Sequence, residues 1–308
     1  MDNVCHTLAG AAFGEAGLKR TTAFGSATLM VAANLPDLDA LVLATEVPSV
    51  AFRRGWTHGV LAQALLPVIL AGLVFWIGRS RGARFGPLLL LSYVGVVSHV
   101  LLDLLNTYGI RLLMPVSSRW FYGDAVFIID VWLWLTLGAG VWLAWSRARV
   151  RFARVALLLA AIYIGALVVS ARAARQDVAD AWQAQHGRPP RALMVGPVPL
   201  TPFRRTIIVD AGDAYATGTF TWFPREARLS ADLVPKHDDH PAVRAAIATD
   251  RRVRAVLVWA RFPYYRVEST AEGHAVTLRD LRFGANVGQV RAVVAASPGS
   301  SGPADRSP

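Results

Sequence analysis

The chain of 308 residues is 54% hydrophobic and only 17% charged, with a mean hydropathy of +0.39, which excludes an ordinary soluble domain and a disordered chain. Its formal charge of +11 does not mark a nucleic-acid-binding protein. Residues 1–171 carry 13 Lys and Arg against 8 Asp and Glu, and the rest of the chain 19 against 13, so neither half is a concentrated basic patch.

From the N-terminus, Val4 to Leu18 reads as a helix too short to span a membrane comfortably. It follows Met1-Asp2-Asn3 without a basic region, so it is expected to stay in the mature protein rather than act as a secretory signal. Five apolar segments of spanning length follow: Thr22 to Ala44, His58 to Gly78, Phe85 to Leu105, Ala125 to Trp145 and Phe152 to Ser170. Ala171 to Gln185 reads as an amphipathic connecting helix and Gly187 to Pro202 as a Pro-rich loop. Strands are expected at Thr206 to Val209, Tyr215 to Phe223, Arg254 to Phe262, Tyr264 to Ser269 and Ala275 to Leu281, with a helix near Pro241 to Thr249. The expected architecture is an α-helical integral membrane domain with a C-terminal α+β soluble domain. Its parts are residues 1–171 (helical membrane domain), 172–205 (connecting helix and linker), 206–296 (small mixed domain) and a disordered Ser/Gly/Pro-rich tail from Ser297 to Pro308.

Arginines set the expected orientation. Lys19 and Arg20, then Arg79, Arg81 and Arg84, then Arg147, Arg149, Arg151 and Arg154 fall on one side when the five segments are threaded. Only Arg53, Arg54, Arg111 and Arg119 fall on the other. The first side is expected to be cytoplasmic, which delivers the C-terminal domain to the outside.

Ionisable residues inside spans are costly and therefore mark function. Asp37, Asp39, Asp103, Asp124 and Asp130, with His6, His58 and His99, lie in or beside the apolar segments. His99 and Asp103 stand at i, i+4, on one face of a helix, where both can bind one metal ion or simply form a helix-surface hydrogen bond. Asn34-Leu35-Pro36-Asp37-Leu38-Asp39 breaks a helix at proline and presents two carboxylates, as metal ligands or as a cap or turn. His58 opens the second segment, as a ligand or an interfacial cap; Asp124 and Asp130 open the fourth, where a helix N-terminus favours them. Threading places the seven other than His6 in one leaflet, and His6 joins them if the N-terminal helix enters from outside and ends at Lys19-Arg20 inside. Three imidazoles with several carboxylates match the ligand set of zinc or other divalent metals in hydrolases. The single cysteine, Cys5, makes no intramolecular disulfide or thiolate cluster.

His6-Thr7-Leu8-x-Gly10, Asn34 to Asp39, Arg54-Gly55-Trp56-Thr57-His58-Gly59 and Ser98-His99-x-x-x-Asp103-x-x-Asn106-x-x-Gly109, in that order, resemble the YdjM-type inner-membrane proteins, described as metal-dependent hydrolases. That family is regarded as distantly related to zinc-dependent phospholipase C and P1 nuclease, in which a His-x-x-x-Asp helix supplies metal ligands. The resemblance implies a bacterial inner-membrane protein with His99 and Asp103 as ligands and, by motif order, His6, Asp37 and His58. The soluble enzymes offer more histidines than this membrane half, which implies fewer metals or more carboxylate ligation. The expected activity is hydrolysis of a phosphoester or lipid-linked ester at the outer face, with a divalent metal, zinc first. Asp39 or Asp130 would be the general base, and Arg54 and Arg119 would receive an anionic headgroup, Arg53 with them. The alternative is a non-enzymatic membrane protein, a metal-ion transporter or structural partner. Gly-x-Ser-x-Gly, P-loop and Gly-x-Gly-x-x-Gly motifs are missing from the sequence. Lys236-His237-Asp238-Asp239-His240 is the other cluster of ligand types, bracketed by prolines as in a solvated turn.

Overall fold

The computed structural model describes residues 1–44, 52–283 and 289–295. Helix α1 (Asn3–Glu15) begins where the Asp2 carboxylate accepts the backbone N–H groups of Val4 and Cys5 at 2.9 and 3.1 Å. It is buried by its neighbours: Cys5, Ala9 and Ala12 pack with Leu133, Leu137 and Leu167 of the later helices. Helix α2 (Gly25–Ala32) is only eight residues long, and a 3-10 segment, Leu35–Ala44, follows it. The span expected over Thr22 to Ala44 is therefore two pieces. Hydropathy does not register the break, but Pro36 has no N–H to continue an α-helical ladder, and Asn34 donates its side-chain amide to the Met30 carbonyl at 2.8 Å.

Helices α3 (Val60–Gly78) and α4 (Phe85–Leu104) form one hairpin, and α5 (Val131–Ser146) and α6 (Arg151–His186) a second. Among the described residues, three helices are long and apolar enough to cross a membrane: Val60–Arg81, Phe85–Leu104 and Arg151–His186. Val131–Ser146 is a shorter apolar helix. Their outward faces carry large exposed aliphatics such as Ile69, Leu135 and Val169, the surface that lipid rather than water solvates.

The connecting segment that begins at Ala171 is not separate. Helix α6 runs through Ser170 without interruption to His186, about 54 Å in all. Its last turns bury Ala174, Val178 and Trp182 against Leu193, Val195, Ile207, Val209 and Phe220. These belong to an antiparallel sheet in the order β1 (Ala192–Pro197), β2 (Arg204–Asp210), β3 (Ala214–Trp222), β4 (Arg225–Pro235), with Met194 opposite Ile208 and Ile208 opposite Thr217. A second antiparallel sheet, β5 (Pro263–Thr270), β6 (Gly273–Asp280), β7 (Val290–Val294), packs on helices α7 (Pro241–Thr249) and α8 (Arg251–Trp259).

Arg254 to Phe262, expected as a strand, is mostly α8. Val253, Val256 and Trp259 recur at helical spacing on its buried face, and the Asp250 carboxylate caps it by accepting the Arg252 N–H at 2.7 Å. The sequence reading also passes over β1, inside the Pro-rich loop, and β4, whose residues are mostly exposed. The tail Ser297 to Pro308 lies outside the described residues.

Three arginines fasten the sheets to the helical domain. Arg205, buried in β2, donates to the carbonyls of Asp124 at 3.0 Å and Leu167 at 3.1 Å. Burial pulls its guanidinium down to about 10, still charged at neutral pH. Arg261 donates to both Asp124 carboxylate oxygens at 2.9 Å. Arg282, paired with Asp280 at 2.8 Å where both side chains are buried, also donates to the carbonyls of Thr107 at 2.8 Å and Tyr108 at 3.2 Å. Arg282→Ala removes the countercharge of the buried Asp280 carboxylate, which keeps only the backbone N–H groups of residues 261 and 282, and takes a donor from the carbonyls of Thr107, Tyr108 and Trp259; it is expected to cost about 3 kcal/mol. Thermal unfolding of the detergent-solubilised protein, with proteolysis across residues 187–203, measures this; an unchanged unfolding temperature and cleavage rate would contradict it.

Candidate metal centre

Four segments distant in sequence meet at one buried point. Helix α4 supplies His99 and Asp103, one turn apart on the same face and both fully buried. Gly95, one turn earlier, makes the approach of α4 to α2 possible, since a Cβ there would stand 2.4 Å from the Ala32 Cβ and 2.9 Å from the Ala33 nitrogen. That approach brings the His99 Nδ1 within 2.7 Å of the Ala33 carbonyl, to which it donates. The proton is thereby fixed on Nδ1, and the Nε2 lone pair is aimed into the site.

His58 is held the same way by a different partner. Its Nδ1 lies 3.0 Å from Thr57 Oγ1 and 3.5 Å from Asp39 Oδ2, while Thr57 donates to that same carboxylate oxygen at 2.9 Å and the Arg54 N–H donates to it at 2.6 Å. An acceptor-rich environment on Nδ1 leaves Nε2 as the free lone pair. The broken backbone after Pro36 brings Asp37 in from a third direction, where an intact helix would have kept it on its own cylinder.

The two Nε2 atoms of His58 and His99 are 3.1 Å apart. Asp103 Oδ2 lies 3.3 and 3.6 Å from them, and Asp37 Oδ1 3.9 Å from each. These four acceptor atoms lie within 4.8 Å of one another; Asp37 Oδ1 accepts no hydrogen bond, and Asp103 Oδ2 accepts none either but is ion-paired with Arg54 Nη1 at 2.9 Å. Arg54 meets Asp103 Oδ2 from one side only, so four buried acceptors still face one another, an arrangement that a cation among them relieves. Donors placed tetrahedrally at 2.0–2.1 Å from one ion are separated by roughly 3.3 Å. The group therefore fits a divalent metal ion held by Asp37, His58, His99 and Asp103.

His6 sits beside this group rather than in it. Its ring stacks on His99 with centroids 3.8 Å apart, and its Nε2 is 3.3 Å from the other Asp103 oxygen, Oδ1, which the Met1 amino group also contacts. Arg54 is buried; its Nη1 lies 2.9 Å from Asp103 Oδ2, and its guanidinium covers the Tyr108 ring at 4.6 Å. Arg53 Nε is 3.6 Å from Asp39 Oδ1. Asp39 thus stands behind His58. Asp130 stands elsewhere, capping α5 through the N–H groups of Trp132 and Leu133 at 3.1 and 3.0 Å and accepting the Tyr163 hydroxyl at 3.1 Å. Arg119 is exposed over the Phe121 ring, and Asp124 pairs with Arg261. His240 caps α7, so the Lys236 to His240 cluster is a turn in the C-terminal domain.

Sequence reasoning did not single out Thr57, the Ala33 carbonyl or Tyr108. Thr57 had a signal, since a hydroxyl adjacent to a ligand histidine can orient its ring. The Ala33 carbonyl had none, because backbone acceptors carry no side-chain identity.

A helical membrane domain with a buried two-His, two-Asp centre is the class of protein these features define. The chain belongs to the YdjM inner membrane protein family, whose model matches residues 1–174. It is also 24% identical over 144 residues to the uncharacterized protein YfhP of Bacillus subtilis (strain 168), a match covering 46% of this chain and 43% of that protein. The chain therefore spans less than half the length of that curated relative. No solved structure matches.

The centre separates ligands from neighbours in a measurable way. His99→Ala and Asp103→Ala are expected to lose most bound metal. Asp39→Asn, which loosens His58, should weaken affinity about 10- to 100-fold. Asp130→Asn, like His237→Ala with His240→Ala, should leave metal content unchanged, since the Asn carbonyl oxygen can still accept the Trp132 and Leu133 N–H groups that cap α5. Elemental analysis of the purified variants checks this; Asp130→Asn losing as much metal as His99→Ala would contradict the assignment.

Proposed function

We propose that this protein is a membrane-embedded metal-dependent hydrolase acting on a phosphoester or lipid-linked ester at the outer face of the membrane. The observation that carries the reading is the convergence of four buried acceptors from Asp37, His58, His99 and Asp103 on one point, with Asp37 Oδ1 accepting no hydrogen bond. Two imidazoles and two carboxylates suit zinc better than the all-oxygen preference of magnesium or calcium. When bound, such an ion supplies Lewis acidity that polarises an ester oxygen and makes water a competent nucleophile near neutral pH.

The chain's own groups have distinct parts in this reading. Ala33 and Asp39 hold the two imidazoles in the tautomer that presents Nε2, so Asp39 is a positioning residue. Arg54 offsets the charge of Asp103, which limits the net negative charge of the buried centre. His6 Nε2, beside Asp103 Oδ1, can hold a proton next to the reacting groups. A transport pathway would need ionisable groups strung through both leaflets, whereas these are gathered at one depth.

The orientation belongs to the same proposal. With the three arginine clusters in the cytoplasm, the centre and the sheets face outward, so reporter fusions at Gly86 and Ala174 are expected to report opposite sides. A cytoplasmic signal at Ala174 would contradict it. Activity is tested with the full chain in detergent, on bis(p-nitrophenyl) phosphate and a short-chain phospholipid. Turnover should vanish on chelation, return with zinc, and fall at least 100-fold in His99→Ala. Turnover insensitive to both treatments would overturn the hydrolase reading.

A further inference from the structure

Two cavities lie one above the other along the groove between α4 and α6, on the side of α4 away from its metal-facing side chains. The lower, of about 440 Å³, is almost wholly apolar and is lined by residues including Leu101, Leu102, Leu105, Leu157, Ile164 and Gly165. The upper, of about 540 Å³, is lined by Arg119, Arg172, Arg175 and Arg261 with Trp120 and Tyr122 among its walls. Leu105 lines both, so the two adjoin at the end of α4. A third cavity of about 360 Å³ shares Arg172 and Arg175 with the upper one and adds Arg191.

The charge in the upper cavity is unbalanced. Its one lining carboxylate, Asp124, is engaged by Arg261. Arg175 donates to the Leu193 carbonyl, and among the described residues Arg119 and Arg172 have no carboxylate partner. Four guanidinium groups around one carboxylate, with aromatic walls, form a receptor for a phosphate anion. A free anion does not account for the apolar cavity beneath.

Length decides the occupant. Leu157, the deepest lining residue on α6, lies 15 positions before Arg172, about 22 Å along the helix. One leaflet with its headgroups is roughly 20–22 Å thick. Arg172 and Arg175 follow directly on the apolar stretch of α6, the level at which headgroup phosphates lie when that stretch spans the bilayer, and the apolar cavity runs below them by the depth of a leaflet. We propose that the stacked cavities bind one anionic lipid, its phosphate among Arg119, Arg172, Arg175 and Arg261 and a chain in the slot lined by Leu105, Ile164 and Gly165. This site is separate from the metal ligands and its occupancy does not rest on the hydrolase reading.

Native mass spectrometry of the full chain in detergent, titrated with dioleoyl phosphatidic acid in the presence of a chelator, tests it. The wild type should retain one lipid per chain and bind dioleoylglycerol at least tenfold more weakly. Arg172→Gln with Arg175→Gln should weaken phosphatidic acid at least tenfold, while the paired Lys variant keeps most of the binding. Gly165→Phe, at a position where an added Cβ meets nothing within 4 Å, fills the lower cavity and should weaken the lipid tenfold. Wild-type metal content in these variants verifies that each is folded. Equal binding of dioleoylglycerol, or Gln variants that bind as wild type, would overturn the proposal. So would full displacement by millimolar inorganic phosphate with Gly165→Phe unaffected, which would mark a site for free phosphate.

Discussion

The Asp103 carboxylate is the point on which the helical domain turns. It is fully buried, and His6, His58, His99, Arg54 and the Met1 amino group all lie against its two oxygens. An isolated carboxylate in such surroundings is prohibitively costly, so every element that reaches it is fixed by the need to compensate its charge. Oδ1 faces α1, and Oδ2 faces His58 and His99. That division separates a neighbouring imidazole, His6, from the pair whose lone pairs converge.

The backbone is shaped to the same end. A continuous first span would have satisfied hydropathy and left the Ala33 carbonyl inside a helix ladder. Ending α2 at Ala32 frees that carbonyl for His99 Nδ1, and Gly95 lets α4 come close enough to use it. The C-terminal domain is tied to the same region from the other side. Arg282 grips the carbonyls of Thr107 and Tyr108, and the Tyr108 ring lies under the Arg54 guanidinium that meets Asp103. The helix of His99 and Asp103, the loop and the sheet thus form one connected set of contacts.

How much of this was legible in the sequence depended on whether a feature was local. The His99/Asp103 pair could be read because i, i+4 spacing alone puts both on one face, and Asp37 and His58 followed from motif order. The break after Asn34 was visible as Pro36, yet the length of the apolar run outweighed it. Asp39 and Asp130 looked alike as carboxylates at segment ends; only tertiary placement sets one behind His58 and the other at the head of α5. In the C-terminal domain, Pro241 to Thr249 was legible from its proline start. In Arg254 to Phe262, the β-branched and apolar run Val256-Leu257-Val258 imitated a strand while Val253, Val256 and Trp259 kept helical spacing, and the Asp250 cap was the overlooked signal. Strand β1 was hidden because six residues between prolines give too short a window for periodicity.

X-ray absorption at the metal edge of the purified full chain tests the central claim most directly. The account predicts one tightly held divalent ion with a nitrogen/oxygen shell at about 2.0–2.1 Å, the outer-shell scattering of two imidazoles, and loss of one imidazole in His99→Ala. A sulfur-containing shell, from Cys5 or a methionine thioether, an all-oxygen shell, or a spectrum unchanged in His99→Ala would contradict it.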